Sequence, residues 1–145
     1  MQFVRDVMTR DVRVENPDDT IQHAASRMME LDTGILPVGE GDRLVGMITD
    51  RDIAVRAVAQ GRTPNTPVRD VMSTKVRYCY DDEPVTHVAE NMAELQVRRL
   101  PVVNRDKRLV GIVSLGDIAA EAEPETSADA LRGISEPGGQ HSQSP

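Results

Sequence analysis

The chain contains a tandem repeat, and this duplication constrains the fold more than any other feature of the sequence. The segment Val4-Arg5-Asp6-Val7-Met8 returns as Val68-Arg69-Asp70-Val71-Met72. Further matches keep this register, with one inserted residue before the last of them: Pro37-Val38 with Pro101-Val102, and Leu44-Val45-Gly46 with Leu109-Val110-Gly111. Because one copy of this size buries too little surface to be stable alone, we expect the two copies to fold as a pair.

The residue patterns of both copies predict the same order of elements, which is strand, helix, strand, strand, helix. The strands are expected at 12–14, 35–38 and 44–48 in the first copy and at 76–78, 100–103 and 109–113 in the second, and glycine and acidic residues between the last two strands of each copy indicate a hairpin. Apolar residues at helical spacing predict one amphipathic helix after each first strand: Ile21, Ala24, Ala25, Met28 and Leu31, and then Val85, Val88, Ala89, Met92 and Leu95. A second helix is expected after Thr49 and after Ser114.

Composition shifts divide the chain into repeats, a connector and a tail. We expect repeat 1 at 4–61 and repeat 2 at 68–122. The connector at 62–67 is rich in proline and turn-forming residues. Residues 123–145 are acidic and then rich in Gly, Ser, Gln and Pro, which predicts a mostly disordered tail.

Charge and composition exclude several classes of protein. With 17 basic and 24 acidic residues the net charge is −7, which disfavours nucleic-acid binding, and the 2% aromatic content offers few stacking surfaces. No segment has the roughly 20 apolar residues of a membrane span, and the start of the chain lacks the pattern of a secretion signal, so no membrane partner and a cytoplasmic location are expected. The single cysteine, Cys79, cannot form an internal disulfide and is interpreted as a small strand residue.

A short signature occurs once in each copy, where the hairpin leads into the second helix. It reads Gly46-Met47-Ile48-Thr49-Asp50-Arg51-Asp52 in the first copy and Gly111-Ile112-Val113-Ser114-Leu115-Gly116-Asp117 in the second. These segments resemble the Gly-h-h-Thr/Ser-x-x-Asp signature (h, apolar) of cystathionine-β-synthase (CBS) domains, and the resemblance covers about residues 4–122. The stretch at 96–101, Gln-Val-Arg-Arg-Leu-Pro, is similar to that of stand-alone bacterial CBS pairs of the hypoxic-response type.

The resemblance implies a fold and a function. The fold is α+β, with two β-α-β-β-α repeats packed through their sheets about a pseudo-twofold axis that leaves two clefts. Such pairs commonly bind an adenine nucleotide in the clefts, need no cofactor and form disc-like homodimers. The family's ligand-binding hydroxyl and acid carry over to Thr49 with Asp52 and to Ser114 with Asp117.

The chemistry of these residues suits a nucleotide. A helix start exposes unpaired amides that attract phosphate, and an ionised carboxylate one turn later accepts both hydroxyl protons of a ribose. An apolar slot for the purine is expected from the residues that open the hairpin strands: Ile35, Leu36, Pro37, Leu100 and Pro101. The alternative is a capping box, because a Ser or Thr followed three residues later by an acid stabilises a helix by about 1 kcal/mol without any ligand.

Further side chains are candidates for the phosphate and the base. Arg98 and Arg99 are the preferred phosphate ligands because they adjoin the Leu-Pro segment, whereas Gly34 and Ile35 replace them in the first copy and disfavour equivalent phosphate binding there. Leu115-Gly116 replaces Asp50-Arg51 in the second copy, so unequal affinities are expected. Arg51 and Arg56 are weaker candidates. Tyr78 is placed to stack on a purine or, alternatively, to pack within its sheet.

The remaining singled-out residues are expected to be structural. His23 and His87 occupy equivalent helix positions, lack a second ligand three or four residues further on, and are interpreted as surface residues without a metal. Met28, Met29 and Met92 are expected in the core or on a dimer face.

Two functional hypotheses follow. The first is a non-catalytic sensor in which an adenine nucleotide alters the packing of the repeats and so controls an unidentified partner protein. The second is a structural or interaction protein that works as a dimer without a ligand. An enzyme is disfavoured because the sequence offers no paired nucleophile and base, no metal cluster and no phosphate-binding P-loop.

Overall fold

Helices and strands alternate along residues 1–121, which are the part of the chain that the computed structural model describes. The elements are α1 (Val4–Val7), α2 (Ile21–Leu31), β1 (Ile35–Glu40), β2 (Arg43–Thr49), α3 (Asp50–Asp52), β3 (Cys79–Tyr80), α4 (Val85–Leu95), β4 (Arg99–Val103), β5 (Leu109–Ser114) and α5 (Leu115–Glu121). Helix α3 continues as a π-helical turn over Ile53–Ala57 and a 3-10 turn over Val58–Gln60, and a further 3-10 turn covers Val68–Asp70. The α+β class expected from the sequence is confirmed. Within these residues no helix is both long and apolar enough to cross a membrane.

The chain packs as two units whose limits differ from those of the sequence repeats. The inner unit is Arg13–Val76, and the outer unit joins Met1–Val12 to the part of the chain that starts at Arg77. A repeat is a unit of duplication, whereas a packing unit is defined by contacts, so the repeat limits 4–61 and 68–122 and the connector 62–67 stay predictions. The tail expected at 123–145 lies outside the described residues.

The inner unit is built on the antiparallel pair of β1 and β2. Ile35 lies opposite Thr49 at one end of this pair, and Glu40 lies opposite Arg43 at the other. Helix α2 begins at a Thr20 cap, whose side chain accepts a hydrogen bond from the His23 amide. The core of this unit combines residues of α2, the hairpin, the π-helical turn and the segment that begins with the Val68–Asp70 turn. These residues are Ile21, Ala24, Met28, Leu36, Val38, Ile48, Ala57, Val68 and Val71.

The outer unit has a three-stranded sheet in the order β3-β4-β5. Strand β3 is parallel to β4, and β5 is antiparallel to β4, with Arg99 opposite Ser114. Helices α1, α4 and α5 supply much of the core: Val4, Val7, Cys79, Val85, Val88, Ala89, Met92, Leu100, Val102, Val113 and Ile118.

The two Val-Met segments each pair with the last strand of a hairpin. In the inner unit Ser73 exchanges two backbone hydrogen bonds of 2.9 Å with Met47 on β2. In the outer unit Thr9 exchanges bonds of 2.8 and 2.9 Å with Ile112 on β5. Each segment therefore packs in the unit that is otherwise formed by the other repeat, because its valines fill that unit's core.

The first strand of each repeat was predicted too early. In the outer unit the strand is Cys79–Tyr80 and not 76–78. In the inner unit residues 12–14 form no strand, and Glu15, which follows them, bridges to Val38. The Glu15 amide donates to the Pro37 carbonyl and the Gly39 amide donates to the Glu15 carbonyl, both at 2.9 Å. A segment pairs with the hairpin only where the chain comes alongside its edge strand. The valine-containing residues 12–14 and 76–78 lie just before that point in each unit.

The α2 pattern was also partly wrong. Ala25 is exposed and Leu31 is 41% exposed, because the buried face of the helix is narrower than the apolar pattern. Met28 and Met92 lie in the core as expected, whereas Met29 is 78% exposed and does not.

Candidate functional site

The inner signature turn closes a reciprocal hydrogen-bonded cap. Thr49 is the N-cap of α3, and its Oγ1 accepts from the Asp52 amide at 3.0 Å. In return, Oδ2 of Asp52 accepts from the Thr49 amide at 3.0 Å. Thr49 and Asp52, which match the ligand signature of the family, therefore also form a capping box in the structure.

The outer signature turn has the same geometry. Ser114 Oγ accepts from the Asp117 amide at 3.0 Å, and Asp117 Oδ2 accepts from the Ser114 amide at 2.9 Å. One oxygen of each signature carboxylate is thus used within the protein. The other oxygen, Oδ1, is not part of either cap, and in the inner turn it lies 3.8 Å from Arg56 Nε.

The first turns of α3 and α5 offer fewer free backbone amides for a phosphate than the sequence suggested. In the inner turn the first three amides all have internal acceptors: Asp50 donates to the Gly34 carbonyl at 2.9 Å, Arg51 to Asp50 Oδ1 at 2.8 Å, and Asp52 to Thr49 Oγ1 at 3.0 Å. In the outer turn the Leu115 amide donates to the Arg98 carbonyl at 2.8 Å. Phosphate affinity would therefore depend on cationic side chains.

The strand register brings the predicted slot residues to the signature turns. Ile35 is directly opposite Thr49, and Leu36 is opposite Ile48. However, Leu36 and Leu100 are only 2% and 3% exposed, and Pro37 and Pro101 are buried as well. The two leucines belong to the cores, which leaves the half-buried Ile35 as the slot residue that is partly accessible.

The arginine pair flanks the outer turn. Arg99 is half-buried and lies in register with Ser114, while Arg98 is exposed and its carbonyl receives the Leu115 amide. The structure therefore brings Arg98, Arg99, Ser114 and Asp117 into one place.

The inner turn carries no such cations at the equivalent positions. A Cβ added at Gly34 would come within 2.7 Å of Asp50 Oδ2, so the acid and a side chain at position 34 compete for the same space. Arg56 donates to the Val71 and Met72 carbonyls at 3.4 and 3.3 Å, and its Nε is 3.8 Å from Asp52 Oδ1. Arg56 therefore ties the Val68–Asp70 turn to the unit, and Arg51 is simply exposed on α3.

Tyr78 has an aromatic partner within the outer unit. Its ring meets that of Tyr80 edge to face, with centroids 5.7 Å apart, and the side-chain hydrogen bond between them raises the pKa of Tyr80. The Arg105 guanidinium lies 4.0 Å from the centroid of the Tyr80 ring. Packing accounts for this arrangement, and stacking of Tyr78 on a purine stays a prediction.

A second group of polar side chains, which the sequence interpretation missed, lies in the inner unit. Glu15 is fully buried, and its Oε2 is 2.9 Å from His23 Nδ1. Asp19 Oδ2 lies 3.6 Å from the same nitrogen. The hydrogen bond with Glu15, followed by the charge of Glu15, raises the pKa of His23 above 6.5. The sequence carries one signal of this group, which is Asp19, four residues before His23.

The comparisons with known proteins identify the family. The sequence model of the CBS domain matches residues 4–58 and 68–123. The chain belongs to the CBS domain family, as a tandem pair. The resemblance drawn from the two signatures is confirmed.

The curated relatives include proteins of the same length class. The CBS domain-containing protein YhcV of Bacillus subtilis is 45% identical over 136 residues, which is 93% of this chain and 96% of the relative. Hypoxic response protein 1 of Mycobacterium tuberculosis is 37% identical over 139 residues, which is 94% of this chain and 96% of the relative. The expected similarity to the hypoxic-response type is therefore confirmed.

Solved structures share the fold. The crystal structure of Hypoxic Response Protein I with two coordinated zinc ions has a TM-score of 0.74 at 38% identity, covering 83% of this chain and 98% of that one. The CBS pair of protein MJ0100, in complex with 5-methylthioadenosine and S-adenosyl-L-methionine, has a TM-score of 0.71 at 32% identity and covers 83% and 94%. CBSX2 in complex with AMP has a TM-score of 0.74 at 26% identity and covers 84% and 96%.

Proposed function

We propose that this CBS pair is a non-catalytic regulatory module that binds an adenine nucleotide at its signature turns, and more tightly at the outer turn. The observation that supports this proposal is the register of Arg99 with Ser114, together with the hydrogen bond from the Leu115 amide to the Arg98 carbonyl, because both arginines then adjoin the cap of Ser114 and Asp117. The site residues predicted from the sequence, Thr49 with Asp52 and Ser114 with Asp117, keep this role as part of the proposal.

The outer turn offers separate groups for ribose and phosphate. Oδ1 of Asp117, the oxygen outside the cap, is the acceptor for a ribose hydroxyl, a charge-assisted contact that contributes roughly 1.5–3 kcal/mol. Arg98 and Arg99 supply planar guanidinium groups that match phosphate oxygens. The ligands named for MJ0100 and CBSX2 all contain adenosine, whereas only AMP carries a phosphate. Adenosine recognition is therefore the shared element, and phosphate recognition is what the arginines add here.

Titration calorimetry with AMP, ATP and 5-methylthioadenosine tests this assignment on the full chain. The double variant Arg98→Gln, Arg99→Gln is expected to weaken AMP and ATP by about tenfold or more and to leave 5-methylthioadenosine unchanged, because the latter has no phosphate. Asp117→Ala is expected to weaken all three ligands. Arg77→Gln removes one positive charge, half of the change in the double variant, from an exposed site of the outer unit and serves as the control.

Two outcomes contradict the proposal. Absence of binding by every one of these ligands at millimolar concentration would reject the adenine-nucleotide function. Equal losses for AMP in the arginine double variant and in Arg77→Gln would reject the outer turn as the phosphate site.

A ligand-free interaction protein is the second candidate, and the reciprocal caps favour it because they account for both signatures without a ligand. Purification from native cells separates the two: a stoichiometric protein partner without a nucleotide supports an interaction protein, and an adenine compound released on denaturation supports the sensor. The homodimer, the regulated partner and the cytoplasmic location are further parts of the first proposal. Light scattering of the purified chain measures the dimer directly.

A further inference from the structure

The two Val-Met segments place a methionine sulfur against the first glycine of each signature. A Cβ added at Gly111 would lie 2.6 Å from Met8 Sδ, and one added at Gly46 would lie 2.7 Å from Met72 Sδ. Each sulfur therefore fills the space on the strand where a side chain would otherwise stand. Because the same contact occurs in both units, it belongs to the repeated fold.

Met8 and Met72 differ in burial from the other methionines. Both are half-buried, and each packs against the margin of a core, Met8 in the outer unit and Met72 in the inner unit. A small oxidant can therefore reach these sulfurs, although they contact the packed interior. The other methionines are either largely exposed or buried. They are Met1 (95% exposed) and Met29 (78%), and then Met28 (6%), Met47 (9%) and Met92 (0%).

The backbone amides of the Val-Met segments already have acceptors. The Met8 amide donates to the Val4 carbonyl at 2.9 Å, and the Thr9 amide donates to the Ile112 carbonyl at 2.8 Å. The corresponding amides of the inner unit have corresponding acceptors, each at 2.9 Å. A polar oxygen added to the sulfur would have to compete with these hydrogen bonds or be hydrated, and hydration requires the side chain to move away from the glycine.

We propose that Met8 and Met72 are oxidation sites, at which a peroxide converts the thioether to a sulfoxide and so releases the Val-Met segments from β5 and β2. The sulfur attacks one oxygen of hydrogen peroxide, a sulfur–oxygen bond forms, the oxygen–oxygen bond breaks, and the other oxygen leaves as water. The sulfur is oxidised and the peroxide is reduced, so no further reactant is needed. A sulfoxide is polar and disrupts the apolar packing that the thioether made. This proposal does not depend on nucleotide binding.

The test treats the folded full-length chain with hydrogen peroxide at a concentration that oxidises the exposed Met29. Peptide mass spectrometry locates the sulfoxides, and urea unfolding followed by far-UV circular dichroism measures stability. We expect sulfoxide at Met8 and Met72 before it forms at any of the buried methionines. Their oxidation should raise the equilibrium constant for unfolding by about fivefold or more. Treatment with the two methionine sulfoxide reductases, one for each sulfoxide epimer, should restore the original urea midpoint.

Leucine substitutions provide the comparison. The double variant Met8→Leu, Met72→Leu removes both sulfurs with little change in volume, and its urea midpoint should be the same before and after peroxide treatment. Met29→Leu is the matched control, because it makes the same chemical change at an exposed position and should lose as much stability on oxidation as the wild type does.

Two outcomes overturn the proposal. One is resistance of Met8 and Met72 to peroxide under conditions that oxidise Met29. The other is an equal loss of stability on oxidation in the double variant and in Met29→Leu. If the double variant does not fold, the wild type decides alone, since sulfoxide at both positions without a lower urea midpoint would also contradict the proposal.

Discussion

Gly111→Ala tests whether the Val-Met segment of the first repeat lies against β5. A Cβ at position 111 would come within 2.6 Å of Met8 Sδ and 2.9 Å of the Thr9 carbonyl oxygen. The methionine side chain can move aside. The Thr9 carbonyl cannot, because Thr9 is held to Ile112 by two backbone hydrogen bonds of 2.8 and 2.9 Å.

The size of the effect follows from two opposing terms. Forcing an extra methyl group into packed structure costs about 1–3 kcal/mol. Replacing glycine restricts the unfolded chain and returns about 0.4–1 kcal/mol. We therefore expect Gly111→Ala to lower the free energy of unfolding by up to about 2.6 kcal/mol, with a central value of about 1.3 kcal/mol.

Gly116→Ala is the matched control, because it makes the same chemical change in the same unit. Gly116 is exposed in α5, and a Cβ there would have Ser114 Oγ as its nearest neighbour at an ordinary 3.6 Å. Without a clash, alanine is expected to stabilise the helix by up to about 1 kcal/mol. The two substitutions should thus change stability in opposite directions.

Urea unfolding followed by far-UV circular dichroism measures both variants against the wild type. In the inner unit Gly46→Ala should act like Gly111→Ala, because its Cβ would lie 2.7 Å from Met72 Sδ and 3.0 Å from the Ser73 carbonyl oxygen. If Gly111→Ala proved as stable as Gly116→Ala, the Thr9 carbonyl would not lie against β5, and the packing of the Val-Met segments would have to be rejected.

Three further predictions concern the caps, the histidine and the cysteine. Ser114→Ala removes the acceptor of the Asp117 amide and should lower stability by about 1 kcal/mol without any ligand, and an unchanged urea midpoint would contradict the cap. The pKa of His23 is raised by its hydrogen bond with Glu15, so the stability difference between wild type and His23→Gln should be full below pH 6.5 and decline as the pH rises through the folded pKa; a constant difference would contradict this ion pair. Burial raises the pKa of the Cys79 thiol to about 12, so a disulfide reagent should modify it only after unfolding, and rapid modification of the folded chain would show that the thiol is accessible.

Local patterns in the sequence predicted the elements well where one strand or helix is followed closely by its partner. The hairpins of both repeats are such cases, since Ile35 reaches Thr49, and Arg99 reaches Ser114, across a short turn. The Val-Met segments are the opposite case. Their partners lie far along the chain, and nothing in the segment itself says which unit's core its valines will enter.

The sequence predicted which residues form the candidate site, but it did not predict which groups their side chains bind. A hydroxyl followed three residues later by an acid is the same sequence whether the acid turns back to its cap or outward to a ligand. The side-chain geometry decides this, and it assigns one oxygen of Asp52 and of Asp117 to the caps. Glu15 was missed for a related reason, because only the folded sheet shows that this strand residue is buried beside His23.

The two signatures themselves cannot explain any difference in what the two units bind. Their caps are nearly identical, with hydrogen bonds of 3.0 and 3.0 Å in the inner turn and 3.0 and 2.9 Å in the outer one. The differences lie in the flanking positions of the repeat alignment. Arg98 and Arg99 of the second copy correspond to Gly34 and Ile35 of the first, and Leu115 corresponds to Asp50. The proposed function depends on this contrast: two arginines flank the outer turn and favour an anion there, whereas the inner turn carries Asp50 followed by Arg51. Duplication preserved the hydrogen bonds of the turn, so the difference in affinity that we propose for the two copies has to come from the substitutions beside it.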